Sequence, residues 1–113
     1  MKQYLIDNLE TLGYPVRMQG TMPEDEAYPE SFITFLTADS TEVILDDEAV
    51  AVAWLFYVAF YSSNPALVDS EPKRIYSTLK AAGFTPQGRG RDLPSDEPSH
   101  TGWVQEYYFI ETL

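Results

Sequence analysis

The sequence predicts an α+β domain, in which a mainly antiparallel sheet of four to five strands carries two main helices packed on one face. Residues 49–61, AVAVAWLFYVAFY, contain no charge, Pro or Gly and alternate as a strand does. Helical patterns near residues 2–12 and 65–82 flank the strand-like segments. At 113 residues the chain has the length of one domain, so we assign residues 1–113 to a single unit.

The N-terminal segment is predicted to form a helix over residues 2–12. Three leucines recur there at helical spacing, and Gly13 is placed to end the helix. Residues 14–19 are typical of a short strand, with Pro15 suited to its start or to a sheet edge because proline lacks an N–H. A loop with two prolines and three consecutive acids follows at residues 20–29.

The middle of the chain is predicted to be mostly strand. Residues 30–37 are rich in β-branched and aromatic side chains, as strands are. We expect a turn at 38–41, a short strand at 42–45 and a polar corner at 46–48. The strand at 49–61 exceeds the usual limit of about 10 residues, so a bend or a projecting end is expected.

The second helix begins at the Asn64-Pro65 pair, with Asn as the N-cap and Pro in the first helical position. Pro72 lies inside the helical pattern and lacks the N–H that a helix interior uses. Two interpretations remain open, namely a helix that kinks at Pro72, or a short turn at 65–69 followed by a helix capped by Ser70. The second is favoured.

The C-terminal third is predicted to hold a loop and one strand. Gly83 is placed to end the second helix. Residues 85–102 are rich in Pro, Gly and mixed charge, which indicates a long, mobile loop. Residues 103–111, WVQEYYFIE, are typical of a closing strand.

The long strand at 49–61 is apolar on both faces, whereas a strand with one solvated face alternates apolar and polar residues. A chain of this size has little left to cover both sides. We therefore expect self-assembly or a partner surface, with the helix-free face presenting the surplus apolar area.

Composition excludes several classes of function. The net charge is −11, from 18 acidic and 7 basic residues, which is opposite to the balance that sequence-specific nucleic-acid binding needs. There are no cysteines, so disulfides and thiolate metal sites are excluded. No apolar run reaches the roughly 20 residues of a membrane span, so we expect no membrane partner and a cytoplasmic origin.

Candidate chemistry is sparse, and we expect no catalytic, cofactor or metal site. His100 is the single histidine and lies near Ser95 and Asp96, but no nucleophile elbow is present. A small hydrolase that uses His100 remains an alternative. The acidic runs lack the spacing of a calcium loop. Arg89 and Arg91 lack the pattern of a phosphate-binding loop, although they are placed to reach a partner.

Several strings resemble a family of small tail-assembly proteins of long-tailed phages and prophages of Gram-positive bacteria. The resemblance covers nearly the whole chain, and the run at 42–45 departs from it by being more apolar. The strings are GYPV at 13–16, QG at 19–20 before the acids at 24–26, YPESFITF at 28–35, FYSSNPALV at 60–68, AAGF at 81–84 and PSDEPSHTG at 94–102.

This resemblance implies a non-enzymatic virion protein of the tail or neck. The closest analogy is a ring-forming tail terminator, or tail-completion protein, which caps the tail tube and joins it to the head connector. Such α+β domains assemble into rings that are commonly hexameric. The implied partners are further copies of the chain, the tail-tube protein and the head-completion or connector protein. The alternatives are a neck (head–tail joining) protein, or a small acidic inhibitor that mimics DNA.

Two sets of residues are candidates for contacts with these partners. Tyrosine suits surfaces that are apolar with a wet edge, and the long loop can reach a neighbour. The interface candidates are Tyr57, Tyr61, Arg89, Arg91, Asp96, Glu97, His100, Trp103, Tyr107 and Tyr108. The acidic candidates for a ring lumen, where negative charge discourages DNA from adhering, are Glu24, Asp25 and Glu26.

Overall fold

Five strands form one sheet in the order β1-β2-β3-β5-β4 in the computed structural model, which describes residues 1–19, 29–95 and 97–113. Strand β1 runs parallel to β2, and all other neighbours are antiparallel. The predicted α+β class is confirmed, with a mixed sheet. The elements are α1 (Lys2–Glu10), β1 (Val16–Met18), β2 (Ser31–Leu45), β3 (Glu48–Ser62), α2 (Pro65–Ala81), β4 (Thr85–Leu93) and β5 (Thr101–Thr112).

Strands β2 and β3 form a long hairpin closed by Asp46 and Asp47, which have φ angles of 53° and 64°. Two consecutive positive φ angles define the turn that matches the twist of hairpin strands. Each strand has 15 residues, which corresponds to about 50 Å at 3.3 Å per residue. The longest dimension of the molecule is 52 Å. The expected projecting end of the long strand is therefore confirmed.

The predicted turn at 38–41 and separate strand at 42–45 were wrong, because β2 runs through both segments. The pairing register shifts between Thr37 and Asp39, so Ala38 is the extra residue of a bulge. The Asp39 carboxylate accepts a hydrogen bond of 2.8 Å from the Ser40 N–H. Asp39 and Ser40, residue types that favour turns, thus form a local side-chain-to-backbone hydrogen bond within the strand, and the chain does not reverse there.

One hydrophobic core brings together buried residues of both helices and of the sheet. Leu5 and Leu9 are the buried leucines of α1, and Ile75 and Leu79 are their counterparts on α2. Alternation along β3 puts Phe56, Val58 and Phe60 on one face of the sheet, which we call the core face. All these residues belong to one buried cluster, together with Ile33, Phe35, Phe84 and Tyr107.

Helix α2 is continuous from Pro65 to Ala81, so the favoured division at Ser70 was wrong. The Asn64 carboxamide caps the start by accepting from the Ala66 N–H at 3.1 Å, as predicted. An interior proline costs about 3 kcal/mol in a helix. Apolar residues before and after Pro72 pack against the core cluster, and this burial offsets the missing bond. Gly83, with φ of 98°, follows the helix as predicted.

The predicted loop at 85–102 was wrong in its first half, because β4 occupies Thr85–Leu93 and only 94–100 connect it to β5. β4 is an edge strand, where a proline is tolerated because one side needs no hydrogen bonds. Its pairing with β5 is interrupted between Gln87 and Arg91. The Gln105 carboxamide fills this gap by donating to the carbonyl oxygens of Gln87 and Gly88, at 2.7 and 3.1 Å.

Two glycines shape the interruption of β4. Gly88 and Gly90 have φ angles of 73° and 88°, a region that other residues rarely adopt. A Cβ at Gly88 would meet open space. A Cβ at Gly90 would clash with the indole Nε1 of Trp103 and would lie 2.7 Å from the carbonyl oxygen of Val104. The close approach of β4 to Trp103 therefore requires glycine at position 90.

Alanine substitutions at these glycines form a matched pair. Gly88→Ala should lose about 1–2 kcal/mol of unfolding free energy, the cost of a left-handed conformation. Gly90→Ala should lose about 1–3 kcal/mol more, because it also forces the indole away. Urea denaturation of the two variants measures the difference. Equal losses would show that Trp103 does not pack against Gly90.

Candidate functional site

The end of the β2–β3 hairpin, residues 38–53, is called here the hairpin arm. Its residues 38–48 are all exposed. Val43, Ile44 and Leu45 are 42%, 55% and 63% exposed, although they are consecutive apolar residues in an ordered strand. Because successive strand residues point to opposite faces, Val43 and Leu45 lie on one face of the arm and Ile44 on the other. Exposed apolar side chains on both faces of an ordered hairpin make it a candidate contact surface. The sequence feature that corresponds to the arm is the run at 42–45, which is more apolar than the family pattern that the rest of the chain resembles.

The outer edge of the hairpin arm is also unpaired. β1 pairs with β2 only from Ile33 to Phe35. Between Thr37 and Leu45, β2 pairs with β3 on one side, and within the described ranges no strand pairs with its other side. An edge of this length presents a row of backbone donors and acceptors that another strand can extend.

The face of the sheet opposite the core face is called here the outer face. Its half near the Ser31–Ser62 pair is closed, since Phe32, Ala59 and Val104 are each under 5% exposed. The half near the hairpin arm is open, with Leu36, Tyr108 and Ile110 exposed. The expectation of surplus apolar area on this face therefore applies only to the half that adjoins the arm.

His100 is buried beside the closed half of the outer face. Its Nε2–H donates to the Pro29 carbonyl oxygen at 2.8 Å, and its Nδ1 lies 2.9 Å from the Ser99 hydroxyl. The ring centroid lies 5.9 Å from that of Phe32. These contacts join the 97–100 turn to the start of β2. His100 thus supports the outer face from within and offers little surface to a partner.

The predicted tyrosines and tryptophan fall on both faces of the sheet. Tyr57 and Tyr61 are half-buried on the outer face, and Tyr108 is more exposed there. Trp103 is half-buried on the core face. Tyr107 also faces the core and is fully buried, so it presents no surface to a partner. We therefore remove Tyr107 from the interface candidates.

The predicted arginines lie on opposite faces of β4. The Arg91 guanidinium lies 3.7 Å from the Glu106 carboxylate on the outer face. The Arg89 guanidinium lies 5.7 Å from the centre of the Tyr76 ring, on the side of α2. Exposed pairs of the first kind contribute about 0–1 kcal/mol, so Arg91 remains available to a partner.

Arg89 stands at the rim of a groove of about 530 Å³ between α2 and the β4–β5 edge, which we call the α2–β4 groove. Apolar side chains supply much of its lining, and charged residues of both signs stand beside them. The lining residues are Val68, Asp69, Pro72, Lys73, Tyr76, Ser77, Arg89, Trp103 and Gln105. Sequence reasoning missed the groove because it treated β4 as a loop.

The basic residues are concentrated in α2 and β4, the two elements that border this groove, and two of them, Lys73 and Arg89, line it. Five of the seven basic residues of the chain belong to α2 and β4. Of these, Arg74 pairs with Glu71 at 2.7 Å and Arg91 with Glu106. Lys73, Lys80 and Arg89 form no salt bridge among the described residues. The end of the hairpin arm is the opposite in sign, with four acids at 42 and 46–48.

Several predicted residues lie outside the described ranges. They are Glu24, Asp25 and Glu26, the candidates for a ring lumen, and Asp96. Glu97, at the start of the 97–100 turn, is exposed, and its N–H donates to the Ser95 hydroxyl at 3.2 Å.

The described residues contain no group of three or more His, Cys, Asp or Glu side chains placed to hold a metal ion. In the same ranges, no helix has both the length and the apolar character needed to cross a membrane.

Comparison with known proteins gives no further assignment: no family model matches the chain, and no curated protein matches it. The functional argument therefore depends on the residues of the chain itself.

Tyr107 should make the free energy of unfolding fall as the pH rises above 10. Burial, and then the neighbouring Tyr76, raises the pKa of the Tyr107 hydroxyl above its usual 10. Above pH 10 the unfolded chain loses this proton while the folded chain keeps it, so stability falls as pH rises. Tyr107→Phe should remove about 1.4 kcal/mol of the loss at pH 11. Denaturant titrations at pH 8 and pH 11 measure it.

The same substitution should be neutral or slightly stabilising at pH 8, because the Tyr107 hydroxyl has no hydrogen-bond partner among the described residues. Tyr108→Phe, at an exposed neighbouring position, is the control. If both variants showed the same dependence on pH, burial of Tyr107 would not be its cause.

His100→Ala should lower the unfolding free energy by about 1–3 kcal/mol, because the Pro29 carbonyl loses its donor. Ser99→Ala leaves that bond intact and should have an effect of less than about 1 kcal/mol. Thermal denaturation of both variants checks this. Loss of stability in Ser99→Ala alone would mean that the Pro29 bond is dispensable.

Proposed function

We propose that this chain is a structural protein of a phage virion, a ring-forming tail terminator that caps the tail tube and joins it to the head connector. The observation that carries the proposal is the hairpin arm, which is ordered, exposed and apolar and has an unpaired edge. Such a surface is completed when a neighbouring molecule covers it.

Two unlike surfaces support head-to-tail assembly. The hairpin arm and the α2–β4 groove belong to different elements, and they differ in shape and in charge. Contacts between unlike surfaces repeat from one subunit to the next, and they close into a ring when the rotation allows it. A two-fold dimer instead needs one surface that complements itself.

The acidic character of the chain fits a conduit for DNA. A net charge of −11 per subunit gives an assembled ring a strongly negative field. Double-stranded DNA would be repelled from such a wall rather than retained by it. The resemblance of the sequence to phage tail-assembly proteins supports the same function.

A neck protein of the same gene cluster is the alternative within this class. It would use the same ring-forming surfaces, but its templates would lie on the head side. The template that promotes assembly distinguishes the two, because a terminator ring forms on the tail-tube protein, whereas a neck ring forms on the connector without the tube protein.

Light scattering over a range of concentrations tests ring formation, first with the chain alone and then with the purified tail-tube protein. We expect a species several times the 12.8 kDa mass of one chain, formed alone or upon addition of the tube protein. Addition of the connector protein is the parallel experiment. A chain that stays monomeric under all three conditions would contradict the proposal.

Removal of the gene from the phage genome tests the function directly. Without a cap, tails should fail to join heads, and the infectious titre should fall by several orders of magnitude. Expression of the chain from a plasmid should restore the titre. Intact, infectious particles in its absence would assign the chain to another role.

A further inference from the structure

We propose that the end of the hairpin arm of one subunit docks into the α2–β4 groove of the next copy of the chain. This inference rests on the proposed ring-forming function and specifies the contact that makes the ring. Three observations carry it, namely the exposed apolar end of the arm, the apolar groove, and their opposite charges.

The projecting partner is the end of the arm. Val43, Ile44 and Leu45 present apolar side chains to solvent next to the two-residue turn. Burial of such side chains favours association because it removes apolar area from water. The turn fixes their position, so little conformational entropy is lost on docking.

The receiving partner is the groove. Its volume of about 530 Å³ lies within the range of pockets that bind small ligands, which is room for several aliphatic side chains. Val68, Pro72 and Trp103 provide apolar surface, and Tyr76 lies under the Arg89 guanidinium. Aromatic and arginine side chains of this kind are enriched in binding hot spots.

Charge selects the occupant. The groove is lined by two basic residues, Lys73 and Arg89, and by one described acid, Asp69, so positive charge predominates there. Neither Lys73 nor Arg89 forms a salt bridge among the described residues. The arm carries Glu42, Asp46, Asp47 and Glu48 around its apolar end. Complementary charges steer association and fix register. In its own chain the arm stays exposed, so the groove that receives it belongs to another copy.

Cysteine cross-linking tests the contact at the level of residues, because the chain has no native cysteine. Leu45→Cys places a thiol on the arm, and Ser77→Cys places one in the lining of the groove, at an exposed site. Under oxidation the double variant should form a covalent series of dimer, trimer and larger species on a non-reducing gel.

The control pair is Leu45→Cys with Asp7→Cys, in which the second thiol lies at an exposed site on α1. It should give at most a small amount of dimer. Equal series from both pairs, or no series from the first pair, would overturn the docking.

A charge exchange tests the same contact without cross-links. Glu42→Lys with Glu48→Lys should weaken self-association at least tenfold, and so should Lys73→Glu with Arg89→Glu. A chain with all four changes should recover association, because the pairs are restored with opposite signs. Asp46 and Asp47 are avoided because their positive φ angles make lysine unfavourable there. The matched control is Asp7→Lys with Glu10→Lys.

The outcomes separate the contact from the function. If the wild-type chain assembles but neither the cysteine pair nor the charge exchange behaves as expected, the arm does not occupy the groove and the ring proposal stands. If the wild-type chain never assembles, alone or with the tail-tube or connector protein, both proposals fail. Recovery of association in the fourfold variant would support both.

Discussion

The register of β3 between β2 and β5 is the constraint on which the rest of the structure depends. β3 pairs along nearly its whole length with both neighbours. A slip of one residue would move Phe56, Val58 and Phe60 from the core face to the outer face, and alanines and tyrosines would take their place. The two-residue turn at Asp46 and Asp47 fixes one side of this register. The core and the candidate surfaces are therefore determined together.

The same register explains how much of the fold could be predicted from the sequence. Long apolar alternation predicted β3, and the Asn64-Pro65 pair predicted the start of α2, because both signals are local. The strand at β4 could not be predicted in this way. Its glycines adopt left-handed angles, and its missing backbone bonds come from Gln105 on the next strand. Residues 85–93 are therefore a strand only because β5 is folded beside them.

In the candidate site, too, local sequence patterns could be predicted, whereas features that depend on the folded neighbours could not. Tyr107 and Tyr108 are adjacent in sequence, so one had to face the core and the other the solvent, and the register decided which. The sequence alone favoured neither. The hairpin arm has a local sequence signal, the apolar run at 42–45. The groove has none, because it is formed by residues of α2 and β5 that meet only after folding.

The acidic residues along the hairpin arm have a further consequence for its bare strand edge. Two arms that met edge to edge would bring Asp39, Glu42 and the charged tips of both molecules into one small volume. Mutual repulsion disfavours this symmetric pairing of two bare edges. Like charge on the arm therefore protects a bare strand edge from edge-to-edge aggregation.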